Sequence, residues 1–134
     1  MSHRHTPEME QEIGGRVLFT PHLAPMNRGI LATCYSRPVD GSAMSTEVVL
    51  ATLRAQYADE PFVVVTDGIP GTKATMGSNM VLVTGRYDPR TRTIITIAAL
   101  DNLAKGASGG AVQAANVALG LAETEGLDMV GVAP

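Results

Sequence analysis

The sequence of 134 residues predicts an α+β fold in which a mixed, largely antiparallel sheet is covered by helices. Residues 80–87 and 93–100 are apolar, strand-like runs on either side of a turn-forming Asp-Pro-Arg-Thr stretch, a pattern typical of a β-hairpin. Apolar residues at helical spacing occur in two other segments, and a capping pattern predicts a third, short helix near the start, with strand-like runs between the helices. There is no internal repeat or linker, and the length suits one domain.

The amino-terminal part predicts a short helix and two strands. Thr6 is a suitable N-cap, and Pro7 and an acidic residue behind it fit the first helical turn, so the helix runs to about Ile13. Residues 16–20 and 29–36 are rich in aliphatic, aromatic and β-branched residues and are followed by prolines. Both segments are therefore predicted to be strands.

The middle of the chain predicts a second helix and a third strand. Val49 and Leu53 fall on one face of a helix over residues 45–58, and Ser45 is a suitable N-cap for it. Residues 62–65 form a short apolar run that ends in a turn-rich loop, which predicts a strand.

The last predicted helix begins at about Ala107 and ends near Gly120 or Leu121. Many of its residues are alanine, glycine or serine. Side chains of this size allow a helix to pack very close to a neighbour.

Composition and charge restrict the partners and the compartment. The net charge is −3 and the basic residues are scattered singly, so we expect no nucleic acid partner. No apolar stretch is long enough to span a membrane and no signal peptide is recognisable, so we expect neither a membrane partner nor export. A single cysteine, Cys34, rules out an internal disulfide and fits the cytoplasm.

Two histidines near the start are candidates for acid–base chemistry. His3 and His5 would share one face of an extended segment, beside the first helix, and imidazoles titrate near neutral pH. Solvated histidines near a terminus are the simpler interpretation. A three-histidine metal site with His22 is a further alternative, but nothing in the sequence places His22 near the pair, so no metal site is predicted.

Three other features have both a functional and a structural interpretation. Arg28 lies in a loop stiffened by two prolines and can present its guanidinium to a carboxylate or phosphate, or can be an ordinary surface arginine. Cys34 lies within a strand-like run, where a buried or half-buried, inert thiol is expected. Residues 101–106 place a polar pair, a lysine and a glycine between a strand and a helix, which suits a ligand at a sheet edge or a plain connection.

Four segments recur together in one enzyme family. They are HRHTPE at residues 3–8, FTPHLAPMNRGI at residues 19–30, GSN at residues 77–79 and DNLAKGASGGAVQ at residues 101–113. In order and separation these segments, with the final GVAP, resemble N-acetyl-gamma-glutamyl-phosphate reductase. The resemblance extends over essentially the whole chain.

The resemblance implies a fold and a reaction. The family is similar to aspartate-semialdehyde dehydrogenase and glyceraldehyde-3-phosphate dehydrogenase, in which a Rossmann domain for NADP precedes an α+β domain that supplies catalytic groups and the oligomer interface. Its reaction in arginine biosynthesis reduces N-acetylglutamyl phosphate to N-acetylglutamate semialdehyde. A cysteine thiolate displaces phosphate to form a thioester, NADPH donates hydride, and a histidine acts as acid and base.

The resemblance also implies roles for individual residues. His5 becomes the acid–base candidate, with His3 beside it as a partner for substrate or proton, although the two roles remain interchangeable. Arg28 becomes a candidate for the substrate carboxylate or phosphate. The implied cofactor-binding residues are Asn102, which would orient the nicotinamide carboxamide, and Lys105 and Gly106 on the same connection.

The sequence departs from the family in two respects. It contains no dinucleotide-binding fold and no Gly-Cys-Tyr-Pro-Thr-type segment with the nucleophile, and Cys34 does not match that position. We therefore expect residues 1–134 to be one partial C-terminal catalytic and oligomerisation domain, with residues 107–134 packing toward an absent NADP-binding domain. Its expected partners are a second copy or a complementary N-terminal chain. Alone it is expected to be inactive, and a non-catalytic oligomerisation or interaction module is the alternative.

Overall fold

A computed structural model describes residues 3–131 and contains one four-stranded sheet with three α-helices. In chain order the elements are α1 (Thr6–Ile13), β1 (Ile30–Ser36), α2 (Thr46–Gln56), β2 (Val63–Val65), β3 (Val81–Asp88), β4 (Thr93–Leu100) and α3 (Gly109–Leu119). A 3₁₀ turn, Thr72–Thr75, lies between β2 and β3, and a π-helical turn, Ala104–Ser108, precedes α3.

The strand order confirms a mixed and largely antiparallel sheet. The strands lie in the order β1-β4-β3-β2; β4 pairs antiparallel with both β1 and β3, whereas β2 pairs parallel with β3. Ile30, Leu100 and Val81 are direct neighbours across this sheet. The loops before β1 and β3 and the segment after β4 therefore meet at one end of the sheet, although they are far apart in sequence.

Helix α2 covers one face of the sheet at β3 and β2. Val49 and Leu50 of this helix are buried, and Val83 of β3 is buried beneath it. The predicted cap is confirmed, since Ser45 Oγ accepts the Val48 N–H at 3.2 Å. Gly85 brings the strand close to the helix, because a Cβ at this position would collide with Val49.

The opposite face is only partly covered. The connection from β2 to β3 lies over Thr84 and Ala99, which are fully buried, and Thr84 Oγ1 donates to the Thr66 carbonyl at 2.7 Å. Leu31 and Tyr35 of β1 point to this same face and are exposed. Part of this sheet face is therefore open to solvent. Cys34, on the α2 side of β1, is exposed as well, so the prediction of a buried or half-buried thiol is wrong.

The predicted strand over residues 16–20 is wrong. The backbone there forms no ladder with any other part of residues 3–131; the Val17 N–H donates to Glu10 Oε1 at 3.0 Å, and the Leu18 side chain is 96% exposed. An extended segment needs a neighbouring strand to pair its backbone groups, and the described chain supplies none here.

Smaller differences concern where helices begin. In α1 the cap position is His5 rather than Thr6, which is the first helical residue. Helix α3 begins at Gly109 instead of Ala107, because the preceding residues form the π-helical turn. Among the described residues, no helix has both the length and the apolar character needed to cross a bilayer.

Candidate functional site

A buried carboxylate organises the end of the sheet where the three loops meet. Asp101 directly follows β4 and its side chain is fully buried. Its Oδ2 accepts the Gly77 N–H at 2.5 Å, and its Oδ1 accepts the N–H groups of Leu103 at 2.8 Å and Ala104 at 3.0 Å. One side chain thus joins the loop before β3 to the turn that leads into α3.

Arg28 completes the coordination of this carboxylate. Its Nη2 lies 2.5 Å from Asp101 Oδ2, and its side chain remains 30% exposed. Burial raises the pKa of Asp101, but the backbone N–H donors and the Arg28 guanidinium outweigh burial and hold the pKa well below its ordinary range. Asp101 is therefore ionised at neutral pH, and it balances the charge of Arg28.

Asn102 fixes the loop that carries Arg28. Its Oδ1 accepts the Gly29 N–H at 2.6 Å. Gly29 has a φ of +119°, and a Cβ there would lie 2.7 Å from the Cβ of Thr72, so the position requires glycine. Among residues 3–131, the Nδ2 group of Asn102 has no hydrogen-bond partner.

Lys105 and Gly106 lie on the π-helical turn. The Gly106 N–H donates to the Asp101 carbonyl at 3.0 Å, and the Ser108 N–H donates to the Leu103 carbonyl at 3.0 Å. A Cβ at Gly110 would lie 2.6 Å from the Lys105 carbonyl oxygen, so the turn requires a small residue beneath it. Single π-helical turns are rare and frequently occur at functional sites.

A side-chain network holds the Lys105 ammonium group. Its Nζ donates to Gln113 Oε1 at 2.5 Å, and Asn79 Nδ2 donates to the same oxygen at 2.8 Å. Gln113 Nε2 in turn donates to Glu123 at 2.5 Å, and the Lys105 Nζ lies 5.3 Å from the centre of the Phe62 ring. Within residues 3–131, no carboxylate pairs directly with Lys105.

An open cleft of about 400 Å³ adjoins these groups. Arg28, Asn79 and Ser108 are its polar lining residues, and most of the other lining residues are apolar and come from the π-helical turn, α3 and the following segment. The apolar lining residues are Leu103, Ala104, Val112, Leu127 and Met129.

The two amino-terminal histidines contact each other, with 4.9 Å between their ring centres. The His5 backbone N–H donates to His3 Nδ1 at 3.3 Å, and the His3 ring packs edge-to-face on Phe19 with 5.1 Å between ring centres. His5 and His22 are exposed. In residues 3–131, no hydrogen bond or ion pair connects either amino-terminal histidine to the Asp101 cluster, and no group of three or more metal-ligating side chains occurs.

The structure thus brings together Arg28, Asn102, Lys105 and Gly106, but not His3 and His5. The sequence analysis placed Asp101 only in a polar pair at the sheet edge and gave no role to Asn79 or Gln113, although all three lie within the motifs quoted for the resemblance. The available signal was that each is a polar residue within one of these motifs. The contacts of Asp101 with Arg28 and Gly77 depend on the sheet register, which the motifs do not contain.

Comparison with known proteins identifies relatives for nearly the whole chain. The model of the family described as "Semialdehyde dehydrogenase, dimerisation domain" matches residues 1–102. The N-acetyl-gamma-glutamyl-phosphate reductases of Acidothermus cellulolyticus and Streptomyces coelicolor are 50% and 51% identical to the chain, and each match covers 98% of it. The reductase of Thermus thermophilus is 46% identical over 99% of the chain.

The chain spans about 40% of the length of these curated relatives and corresponds to their C-terminal domain. One solved structure, an aspartate semialdehyde dehydrogenase from Vibrio cholerae, shares the fold with a TM-score of 0.52 at 20% identity. That match covers 69% of this chain and 27% of the other protein.

Proposed function

Because this chain belongs to the semialdehyde dehydrogenase family through its dimerisation domain, we propose that it is the C-terminal portion of an NADP-dependent N-acetyl-gamma-glutamyl-phosphate reductase. In this proposal it contributes to reducing N-acetylglutamyl phosphate to N-acetylglutamate semialdehyde in arginine biosynthesis. The observation that carries the proposal is the Asp101 cluster, in which three of the four family-like segments meet at one end of the sheet.

The residues of the cluster fit a nicotinamide cofactor. Since the Gly29 N–H occupies Asn102 Oδ1, the amide Nδ2 is oriented and able to donate to a carboxamide oxygen. When bound, the cofactor supplies the hydride. Lys105 and Gly106 hold the backbone next to Asn102 in its π-helical conformation, so they would shape the same subsite.

Arg28 and Lys105 would interact with a substrate anion in different ways, because their charges are balanced to different extents. The charge of Arg28 is balanced by Asp101, so its exposed N–H groups would orient a carboxylate mainly through directed hydrogen bonds. The ammonium group of Lys105 has only neutral direct partners among the described residues, Gln113 and the Phe62 ring. Lys105 is therefore the cation with charge available for an acyl phosphate.

His5 remains the proposed acid–base residue, with His3 as its neighbour. His3 Nδ1 accepts a backbone N–H, which places the proton of the neutral ring on Nε2. The His5 side chain is exposed, with no hydrogen bond to the rest of residues 3–131. It is thus free to exchange a proton with a substrate.

We propose that α3 and the segment after it face the NADP-binding domain. Val112, Val117 and Leu119 are exposed along α3, the last two at 60% and 74%. Val112 and Leu119 lie seven residues apart on one side of the helix, and exposed apolar side chains of this kind are suited to a protein contact. Residues 132–134 of the proposed contact lie outside the described residues.

Complementation with the missing part tests the proposal. The chain is mixed with the portion of the Streptomyces coelicolor reductase that it does not span, and NADPH oxidation is followed with N-acetylglutamyl phosphate. We expect no turnover by the chain alone and turnover by the mixture. His5→Ala should reduce the turnover of the mixture by about 100-fold or more, whereas the neighbouring Arg4→Ala should not. Turnover by the chain alone, or none by the mixture, would contradict the proposal.

A non-catalytic module is the second candidate function, and the partly open sheet face favours it. In that case the chain would bind a full-length reductase without adding activity. This alternative would be supported if the chain co-purifies with an intact reductase and adds no turnover in the complementation assay.

A further inference from the structure

Strand β1 is the least covered element of the sheet. Six of its seven residues are exposed, although it pairs with β4 along its whole length. It forms one edge of the sheet, and no other strand of residues 3–131 lies beside it. Each face is open as well, since Ile30 is exposed on the side of α2 and Tyr35 on the opposite side.

The sequence of β1 lacks the features that protect natural sheet edges. Ile-Leu-Ala-Thr-Cys-Tyr-Ser contains no proline and no charged residue. Its seven consecutive pairs with β4 are uninterrupted by a bulge. The free edge therefore presents a regular row of backbone donors and acceptors between two apolar faces, which is a template for another strand.

We infer that β1 pairs with an additional β-strand contributed by the part of the reductase that precedes the matched region in its relatives. This inference rests on the proposed function. The larger part of each relative lies outside the match, so sequence for such a strand is available there. Because β1 is uncharged and its faces are largely apolar, with Thr33 and Ser36 as the polar residues, we expect the added strand to be uncharged and largely apolar on both faces.

A second copy of the chain is a poorer occupant of this edge. Pairing of β1 with β1 of a copy would satisfy the backbone groups but would leave Ile30 and Cys34 uncovered on the side of α2, which packs on β3 and β2. A strand from a longer domain comes with a connecting segment, and that segment can cover Ile30 and Cys34 on the α2 side of the sheet.

Amide hydrogen exchange of β1 tests the inference. In an antiparallel edge strand, alternate N–H groups face away from the partner strand and exchange quickly. Adding the N-terminal portion of the Streptomyces coelicolor reductase should slow these outward amides by about 100-fold or more. Slowing that depends only on the concentration of the chain itself would indicate a second copy and would overturn the inference.

The activity measured in the same mixture separates this inference from the proposed function. Restored turnover without protection of β1 would overturn the inference and leave the proposed function standing. Protection of β1 without turnover would support the inference and count against the proposed function. If neither protection of β1 nor turnover is observed, both the inference and the proposed function are overturned.

Two neighbouring proline variants provide a matched control. Of the backbone N–H groups of Ala32 and Thr33, one faces β4 and the other faces the free edge. Because proline has no N–H, one of the variants Ala32→Pro and Thr33→Pro removes the inward N–H and the other removes the outward N–H. The variant that keeps the stability of the chain identifies the outward position, and it should bind the N-terminal portion at least about tenfold more weakly. Unchanged binding by that variant would overturn the inference.

Discussion

The Asp101 carboxylate makes the stability of the chain depend on pH. Its pKa is lower in the folded protein than the ordinary value of 3.8, so its contribution to stability is complete above that value and is lost as the pH falls below it. We expect Asp101→Asn to reduce the free energy of unfolding by about 3 kcal/mol at neutral pH, because Arg28 and three backbone donors lose their anionic partner. Urea denaturation at neutral pH measures this loss.

The difference in free energy of unfolding between the original chain and Asp101→Asn should then change with pH. It should stay constant from neutral pH down to about pH 5 and shrink below the ordinary value of 3.8, since only the original protein carries the titrating group. Asp40→Asn, in a loop where the residue is exposed, is the control and should leave the neutral-pH stability unchanged. A difference that grows on acidification would show that Asp101 does not have a lowered pKa.

The sequence alone identified only part of this cluster. Asn102 and Arg28 were assigned to ligands through family-like motifs, but the ion pair between Arg28 and Asp101 connects residues 73 positions apart. It exists because Ile30 and Leu100 are direct partners in the sheet. Without the register, a strand-end aspartate has no identifiable partner, and Arg28 looks like a free cation.

At the scale of elements, the packing of α2 on β3 depends on Gly85. A Cβ there would overlap Val49 Cγ1 and lie 3.0 Å from Leu53 Cδ1. We expect Gly85→Ala to lower the free energy of unfolding by about 1–3 kcal/mol through overpacking. Gly68→Ala is the matched control, since a Cβ at Gly68 meets no atom within 4 Å. Equal midpoints of urea denaturation for the two variants would refute this account.

Capping of α2 gives a second test at this scale. Ser45 Oγ accepts the Val48 N–H, so Ser45→Ala should destabilise the chain by about 1 kcal/mol. Ser45→Asp keeps an acceptor at the cap and should retain most of the stability. A similar loss of thermal stability in both variants would mean that the cap hydrogen bond is not the cause.

Local patterns predicted the elements that local interactions determine. The cap and periodicity of α2 and the hairpin of β3 and β4 required only neighbouring residues, and both predictions are confirmed. Residues 16–20 have the composition of a strand, yet a strand exists only with a partner, and none of the described residues provides one. The parallel pairing of β2 with β3 was likewise not predictable, since it depends on a long connection.

At the scale of the whole molecule, the incomplete cover of the sheet leaves part of one apolar face exposed. The face opposite α2 exposes Leu31 at 52% and Tyr35 at 71%, next to the β4 residues Ile95 and Ile97. This patch is apolar and contiguous, and the family model that matches the chain is described as a dimerisation domain. We propose that a second copy covers this face.

A lysine placed in this face should therefore weaken self-association. We expect Tyr35→Lys to raise the dimer dissociation constant at least about tenfold, equivalent to roughly 1.4 kcal/mol, because the ammonium group would have to be buried against apolar side chains. Leu23→Lys is the control, since Leu23 is fully exposed in the loop before β1 and lies outside the patch. Sedimentation equilibrium over a range of concentrations measures both constants. If the two variants associate equally, the second copy binds elsewhere, and the open face is left for another part of the reductase.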